Sequence, residues 1–380
     1  MKNNFIYLDN NATTPLDPRV FGVMVPYMVD MYGNASSSHR MGKQLKKIVD
    51  DARGQIGDLI DADAEDIYFT AGATEAINIA LQGLPSRSAK PTHIITVATE
   101  HPAVLDTCRY LETIGVEVTY LSVNSEGLIE LDELRASFKD NTVLVCVMRV
   151  NNETGVMQDT QRIADIAHEH GALFMCDGTQ SVGRMGVDVS SGIDILTFSA
   201  HKFYGPKGIG GLYINPRLKI KPLMHGGGHE KGLRSGTLNV PGIVGMGMAA
   251  EIAARESSQD APRIYRLREK LEASLLRLGN THVNGSVFHR TYNTSNIRFD
   301  GINNDSLLLA LKDICVSNGS ACQSFVMEPS HVLRAMGLSK EEANTSIRFS
   351  LGRFNTDGDI ELTVKAVKKA VRKLQAIASV

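Results

Sequence analysis

The sequence predicts an α/β protein in which helices cover both faces of a mostly parallel sheet, with a smaller α+β unit after it. Short apolar runs alternate with helical patterns from residue 67 to residue 214, and the runs are apolar along their whole length. The pattern then changes after Asn284-Gly285. Alternation of this kind is typical of parallel sheets, and continuously apolar strands are typical of sheets covered on both faces. A chain of 380 residues is also long enough for two domains.

Hydrophobic periodicity gives the elements in chain order. The predicted strands of the first unit are 5–9, 67–70, 93–97, 117–121, 142–147, 173–176, 193–198 and 212–214. Its predicted helices are 18–32, 40–60, 75–84, 102–114, 131–138 and 160–169. A glycine-rich loop, 225–237, precedes a long amphipathic helix, about 243–278, in which Pro262 is expected to cause a break. The smaller unit has predicted strands 294–299 and 346–350 and helices 306–312, 329–336 and 357–377, so the domain boundary is expected near 255–265.

Composition excludes several classes of protein. The net charge of −2 gives no reason to expect binding to nucleic acid or to an anionic membrane surface. The N-terminus lacks the apolar core of a signal peptide, and the apolar stretch 240–250 is too short and too rich in glycine to span a bilayer. The five cysteines are odd in number and widely spread, which favours reduced thiols and a cytoplasmic location.

A lysine directly follows one predicted strand. Ser199-Ala200-His201-Lys202 leaves the run 193–198, and a glycine-rich segment leads to the next strand. Desolvation or nearby cations lower the pKa of such an amine until it can attack a carbonyl carbon and form a Schiff base. The alternative is a solvated lysine in a turn, because lysines are usually exposed.

Other polar residues also follow strands, and ligands collect at the carboxyl ends of strands in sheets of this kind. Asp177 could pair with the protonated ring nitrogen of pyridoxal phosphate (PLP), or it could be a helix N-cap. His101 could stack on a cofactor ring or shuttle protons, or it could make only a structural hydrogen bond. Asn152 offers an amide for polar recognition.

Thr70 to Glu75 is predicted to be a strand end, a turn of small residues and a helix start. The first N–H groups of the helix and the Thr74 hydroxyl would form an anion site, although Thr74 could simply cap the helix. Arg348 lies inside a predicted strand, where its charge needs a partner such as a substrate carboxylate.

Cys322 lies in a small polar segment, where an exposed thiol is accessible for nucleophilic attack. The alternative is an incidental surface thiol. His225 and His229 have the spacing of helical zinc ligands, but the three glycines between them argue against a helix. We therefore predict no metal site at these histidines.

Taken together, these segments resemble a cysteine desulfurase of the NifS/IscS type, in the class V aminotransferase branch of the fold-type I PLP enzymes. The resemblance runs nearly end to end, from Tyr7–Pro15 to Ile347–Arg353. Its specific matches are His201-Lys202 followed by Gly205 to Gly208, then Arg234 to Thr237, and Gly319 to Cys322 with Glu328 to Ser330. It implies a large PLP-binding domain, residues 15–258, with a mostly parallel seven-stranded sheet sandwiched by helices. Residues 1–14 and 259–380 would form a small α+β domain that carries Cys322 on a mobile loop of about residues 316–330.

The resemblance also implies roles for individual residues. Lys202 would hold PLP and move protons, His101 would stack on the ring and Asp177 would pair with the ring nitrogen. Asn152 and Arg348 would bind the substrate carboxylate. The further cofactor contacts that it implies are Thr74, Glu75, Asn152, Gln180 (to the ring oxygen), Ser199, His201 and, from the partner subunit of a homodimer, Thr237.

The implied reaction removes sulfur from L-cysteine and leaves L-alanine and a persulfide on Cys322. An iron–sulfur scaffold protein of the IscU/NifU type would accept the sulfur for cluster assembly. A further hypothesis is that Cys322 lends a transient ligand to a nascent iron–sulfur cluster. The alternatives are a selenocysteine lyase, another class V PLP enzyme such as an aminotransferase, which needs no nucleophilic thiol, and a catalytically silent partner of cluster assembly.

Overall fold

A computed structural model describes residues 5–84, 92–318 and 329–378 of the protein. Its strands are β1 (Ile6–Tyr7), β2 (Ile67–Thr70), β3 (His93–Val97), β4 (Glu117–Leu121), β5 (Thr142–Met148), β6 (Leu173–Asp177), β7 (Ile195–Ser199), β8 (Gly210–Ile214), β9 (Thr281–Val283), β10 (Thr294–Phe299), β11 (Ile314–Cys315) and β12 (Ser346–Ser350). Its α-helices are α1 (Pro18–Val29), α2 (Arg40–Ile60), α3 (Ala73–Gly83), α4 (Pro102–Thr113), α5 (Leu131–Ala136), α6 (Thr160–Glu169), α7 (Val240–Leu276), α8 (Asn304–Ala310), α9 (His331–Ala335), α10 (Lys340–Ala343) and α11 (Asp357–Ala378).

Within these ranges, seven strands form the central sheet in the order β2-β8-β7-β6-β5-β3-β4. Strands β4, β3, β5, β6 and β7 pair in parallel, whereas β8 is antiparallel to both β2 and β7. Strands β3, β5, β7 and β8 are buried over their whole length, because helices cover both faces of the sheet. The predicted α/β class with a mostly parallel, seven-stranded sheet is therefore confirmed.

An apolar core lies on each face of this sheet. Along β5, Val145 and Val147 belong to one core, and Leu144 and Cys146 belong to the other, as the alternation of side chains in a strand requires. Residues of α1, α2, α6 and the first half of α7 complete the first core, and residues of α3 and α4 complete the second.

A third core lies in the C-terminal part of the chain and includes Leu8, Leu271 and Phe349. Strands β12, β10 and β9 form an antiparallel sheet beside it, and β1 pairs in parallel with β11. The N-terminal strand thus joins the C-terminal unit. This arrangement supports the division into residues 15–258 and residues 1–14 with 259–380, which stays a prediction.

The expected break at Pro262 is wrong, because α7 continues through this residue. Ile252, on one side of the proline, is buried in the first core, and Ile264, on the other side, is buried in the third. A proline inside a helix costs about 3 kcal/mol. Burial of the helix in a core on each side of the proline offsets this cost.

Candidate active site

A cavity of about 240 Å³ opens at the carboxyl ends of β5, β6 and β7. The last residue of each of these strands, Met148, Asp177 and Ser199, lies in its wall. Most of the predicted site residues line it, namely Thr74, His101, Asn152, Asp177, Gln180, Ser199, His201, Lys202 and Arg348. Residues from distant parts of the chain meet here because parallel strands end at the same edge of the sheet.

Lys202 is held on the wall of this cavity. It ends a 3₁₀ turn, Ala200–Lys202, that directly follows β7. Its Nζ donates hydrogen bonds to the main-chain carbonyls of Asn11 (2.6 Å) and Ala12 (2.8 Å). The amine therefore lies inside the site, and the alternative of a solvated turn lysine is wrong.

Asp177 is the last residue of β6 and is only 5% exposed. Its Oδ1 accepts a hydrogen bond from the Thr179 N–H (2.9 Å), and a turn rather than a helix follows, so the N-cap alternative is wrong. The Thr179 hydroxyl, which also lines the cavity, is buried and has no hydrogen-bond partner in the structure as described. A carboxylate and an unsatisfied hydroxyl therefore lie together in the cavity wall.

His101 fits both predicted alternatives, since it makes a structural hydrogen bond and also lines the cavity. It is the N-cap of α4, and its Nδ1 accepts a hydrogen bond from the Ala103 N–H (3.1 Å). Burial lowers the pKa of His101, although the nearby Asp177 carboxylate opposes this shift. The neutral ring therefore carries its proton on Nε2.

The other end of the cavity is suited to an anion. The Ser199 Oγ accepts a hydrogen bond from the Ala73 N–H (2.7 Å) in the first turn of α3, beside Thr74. Burial, together with the charges of Lys202 and Lys207, lowers the pKa of His201 to about 4, so this ring is neutral. An adjoining cavity of about 590 Å³ shares Thr74, Ser199 and His201 and includes Lys207. Helix dipole, hydroxyl groups and lysine together favour a phosphate group.

Arg348, in β12, is held by two hydrogen bonds. Its Nη2 donates to Asp9 Oδ1 (2.6 Å), and its Nη1 donates to the main-chain carbonyl of Asn152 (2.9 Å). The side chain is 4% exposed, and its Nε is buried without a hydrogen-bond partner in the part of the chain that is described. One edge of the guanidinium therefore still has a donor for an anionic ligand.

Three predicted site residues do not line this cavity. Glu75 lies at the adjoining cavity, where its Oε1 accepts a hydrogen bond from Arg234 Nε (2.8 Å). Thr237 is exposed and lines neither cavity. Cys322 falls outside the described residues.

Sequence reasoning missed two residues that organise the site, Asn11 and Arg184. The Asn11 carbonyl accepts hydrogen bonds from Lys202 Nζ and Gln180 Nε2, and its Nδ2 donates to the Asn152 carbonyl. Arg184 does not line the cavity, but it donates hydrogen bonds to Asn11 and Gln180, which do. For Asn11 the available signal was the segment Tyr7 to Pro15, which belongs to the family resemblance but was given no role in the site.

The model of the aminotransferase class-V family matches residues 6–362 of the chain. The chain belongs to this family. Its relatives in this family include cysteine desulfurase IscS of Actinobacillus succinogenes, which is 48% identical over 379 residues, 98% of this chain and 94% of the relative. A solved NifS-like protein superposes with a TM-score of 0.92 at 36% identity and covers 97% of this chain and 100% of its own. A structure of SspA in complex with cysteine has a TM-score of 0.81 at 35% identity, and the match covers 92% of this chain and 99% of the SspA chain.

These matches confirm the predicted resemblance to the NifS/IscS cysteine desulfurases and the predicted fold of a PLP enzyme. They also confirm the predicted PLP-dependent cysteine desulfurase and do not favour the alternative class V reactions. The residues of the cavity fit this family's cofactor. A primary amine, a buried carboxylate, an unsatisfied hydroxyl and an anion site at a helix N-terminus surround one space.

Two other features concern membranes and metals. In the described ranges, no helix combines the length and apolarity needed to cross a bilayer. The same ranges contain no group of three or more His, Cys, Asp and Glu side chains that could hold a metal ion. His229 instead accepts a hydrogen bond from the Gly236 N–H (3.2 Å), and His225 is exposed.

Proposed function

We propose that the chain removes sulfur from L-cysteine in this cavity and passes it on through Cys322. Lys202 provides the amine that holds PLP, Asp177 pairs with the pyridine nitrogen, and His101 stacks on the ring. The bound cofactor supplies an electron sink that lets the α-carbon of the substrate lose its proton. The observation that carries the proposal is that these three residues, which follow different strands, meet in one cavity.

The remaining polar residues hold the ends of the cofactor. Thr74, Ser199 and His201 bind its phosphate at the N-terminus of α3, and Gln180 donates to the ring oxygen. Glu75 supports this end through its ion pair with Arg234. In a homodimer, Thr237 reaches the phosphate site of the other subunit, and its exposure outside both cavities of its own chain supports this role.

Arg348 and Asn152 bind the carboxylate of the substrate. The buried, unpartnered Nε of Arg348 supports this role, because a carboxylate would satisfy it. Asp9 and the Asn152 carbonyl hold the guanidinium by its two Nη atoms, and its orientation is therefore set before the substrate arrives. Such preorganisation lowers the entropy lost on binding.

The reacting sulfur is transferred to Cys322. The thiolate attacks the substrate sulfur, and an S–S bond forms as the C–S bond breaks. The carbon skeleton keeps the bonding electron pair, takes up one proton at the β-carbon, regains one at the α-carbon, each from Lys202 or His101, and leaves as alanine. The Ser317 carbonyl accepts a hydrogen bond from the main-chain N–H of Arg348 (2.6 Å), and the Ser330 hydroxyl donates to Glu153, the residue after Asn152. The chain on each side of the segment that contains Cys322 therefore contacts Arg348 or the neighbour of Asn152, and this supports the assignment.

The sulfur acceptor and the cellular location also belong to the proposal. An iron–sulfur scaffold protein of the IscU/NifU type takes the persulfide sulfur, in line with the IscS relatives. The odd number of scattered cysteines supports a cytoplasmic location, because unpaired thiols persist in reducing compartments.

The proposal is tested by mass spectrometry after L-cysteine is added without reductant, with Cys322→Ser as the matched variant. We expect one added sulfur on the Cys322 peptide of the unmodified protein and none on the variant. A protein that is yellow with bound PLP but gains no sulfur at Cys322 would contradict the proposed reaction.

A further inference from the structure

Arg184 is a buried cation that the proposed reaction does not use. Its side chain is 6% exposed, at the end of the turn that follows β6. The charged or ionisable groups that act on it from nearby are Tyr292, Tyr204 and Arg348. In the described part of the chain, no carboxylate forms an ion pair with it, although a buried charge normally requires one.

Instead, four hydrogen bonds connect Arg184 to three separate segments. Its Nε donates to the Lys202 carbonyl (3.2 Å), and its Nη2 donates to the Asn10 carbonyl (2.8 Å). Its Nη1 donates both to Asn11 Oδ1 and to Gln180 Oε1, at 2.8 Å each. A single guanidinium therefore joins the lysine turn, the N-terminal turn and the turn that carries Gln180.

These contacts fix the orientation of the Gln180 amide. Because Oε1 accepts from Arg184, the amide nitrogen is on the other side, where it donates to the Asn11 carbonyl (3.0 Å). An amide nitrogen has two hydrogens, and the second is available to a ligand in the cavity that Gln180 lines. Without Arg184, the amide could rotate and present its oxygen, which can only accept.

The charge of Arg184 also reaches the cavity. It is one of the cations that lower the pKa of His201, which lines the cavity next to Lys202. Because no carboxylate balances it, its positive potential favours an anionic oxygen on a bound ligand and an uncharged nitrogen on Lys202.

We propose that Arg184 is a positioning residue that keeps Gln180 as a hydrogen-bond donor towards the cavity and supplies a permanent positive charge beneath Lys202. The inference rests on the proposed function only in that the ligand contacted by Lys202 and Gln180 is PLP. It gives Arg184 a part in setting both the affinity for the cofactor and the proton affinity of the nitrogen that holds it.

The charge is tested by titrating the visible absorbance of bound PLP against pH. In Arg184→Met, which removes the charge at similar volume, we expect the midpoint of the absorbance change to rise by about one pH unit. Arg184→Lys, which keeps the charge, should stay within about 0.3 units of the unmodified protein. Arg268→Met is the matched control, because Arg268 is a buried arginine of the C-terminal part of the chain that contacts neither cavity. It should leave the midpoint unchanged.

The orientation of Gln180 is tested by PLP dissociation constants in a double-mutant cycle. We expect Arg184→Lys to weaken PLP binding about tenfold, because a lysine cannot make the guanidinium hydrogen bonds that fix the orientation of the Gln180 amide. In a Gln180→Ala background, the same change should weaken binding less than about twofold, since there is no amide left to orient.

Two results would overturn the inference. One is a midpoint in Arg184→Met that matches the Arg268→Met control. The other is a loss of PLP affinity in Arg184→Lys that is equally large with and without Gln180. If Arg184→Met does not fold, the PLP affinities of Arg184→Lys with and without Gln180 still test the inference. Because these measurements need only PLP, a protein that binds PLP but transfers no sulfur to Cys322 would contradict the proposed reaction and leave this test intact.

Discussion

Replacing Arg348 tests the proposed binding of the substrate carboxylate most directly. Arg348→Met removes the guanidinium and keeps a side chain of similar length in the buried site. The change also breaks the ion pair with Asp9, so the variant combines a functional loss with a structural one. Asp9→Asn is the matched control, because it breaks the same ion pair and leaves the guanidinium in place.

The size of the effect follows from the donors that Arg348 still has available. A hydrogen bond to a charged group contributes about 1.5–3 kcal/mol. A carboxylate bound at the Nε edge would accept two such bonds, or about 3–6 kcal/mol in total. Asp9 already neutralises part of the charge, so we expect the lower end, which is a loss of about 100-fold in kcat/KM. The broken ion pair should lower the free energy of unfolding by about 2 kcal/mol in both variants, because Asp9 keeps some contact with water.

The assay is the steady-state rate of alanine formation over a range of L-cysteine concentrations. PLP occupancy is followed by absorbance, and stability is followed by urea unfolding. In Arg348→Met, we expect the loss mainly as a raised KM, while PLP occupancy stays at the level of the unmodified protein. Asp9→Asn should lose less than about tenfold in kcat/KM, since the carboxylate site is retained.

Two outcomes would refute this reasoning. If Arg348→Met stays within threefold of the unmodified protein in kcat/KM, the substrate carboxylate binds elsewhere. If Asp9→Asn loses as much activity as Arg348→Met, the damage comes from the broken ion pair and not from the lost donor.

Other perturbations test separate parts of the structure. Gly183 has a φ of +74°, and a Cβ at this position would lie 2.5 Å from the Phe203 Cβ. Gly183→Ala should therefore lower the free energy of unfolding by about 2–3 kcal/mol in denaturant titrations. An unchanged unfolding midpoint would contradict this prediction. Burial lowers the pKa of His93 to about 4 in the folded protein, so this side chain binds fewer protons there than in the unfolded chain. Its neutral form therefore costs no stability above pH 6.5, and the free energy of unfolding falls as the pH drops towards 4. His93→Gln should therefore remove about 3 kcal/mol of this acid dependence in urea unfolding, whereas an equally steep loss in the variant would count against it. If Cys322 lends a ligand to a nascent cluster, Cys322→Ser supplied with sulfide directly should slow cluster assembly on the scaffold protein, and a normal rate would exclude the role.

Residues at strand ends could be predicted because their signal is local. Lys202 and Asp177 each follow an apolar run, and the rule that parallel strands end at one edge of a sheet was enough to bring them together. The same apolar runs predicted the strands of the central sheet, whereas their number, seven, came from the family resemblance. The runs could not give the direction of β8, because an apolar run looks the same in either orientation, and only the short connection after β7 makes an antiparallel pair necessary.

The features of the site that could not be predicted depend on contacts between residues far apart in the sequence. Asn11 meets Lys202 across 191 positions, and Arg184 meets Asn10 across 174. A buried arginine without a carboxylate has no pattern in a sequence, because main-chain carbonyls and uncharged side-chain amides satisfy it. The prediction of a helix break at Pro262 was wrong for a related reason. The helix is buried in a core on each side of the proline, which the sequence does not show, and this burial offsets the cost of the proline.

The N-terminal turn has a consequence for the order in which the protein matures. Asn10 Nδ2 bonds to the carbonyl of Ser350, 340 positions later, and β1 pairs with β11 near the end of the chain. At about 5–20 residues per second, a ribosome needs roughly 20–70 s to make the intervening segment. The central sheet can therefore form during synthesis, but the carbonyls that hold Lys202 are fixed only after β12 has emerged. Stable cofactor loading thus reports that translation has reached the end of the chain, and a prematurely terminated product would remain colourless.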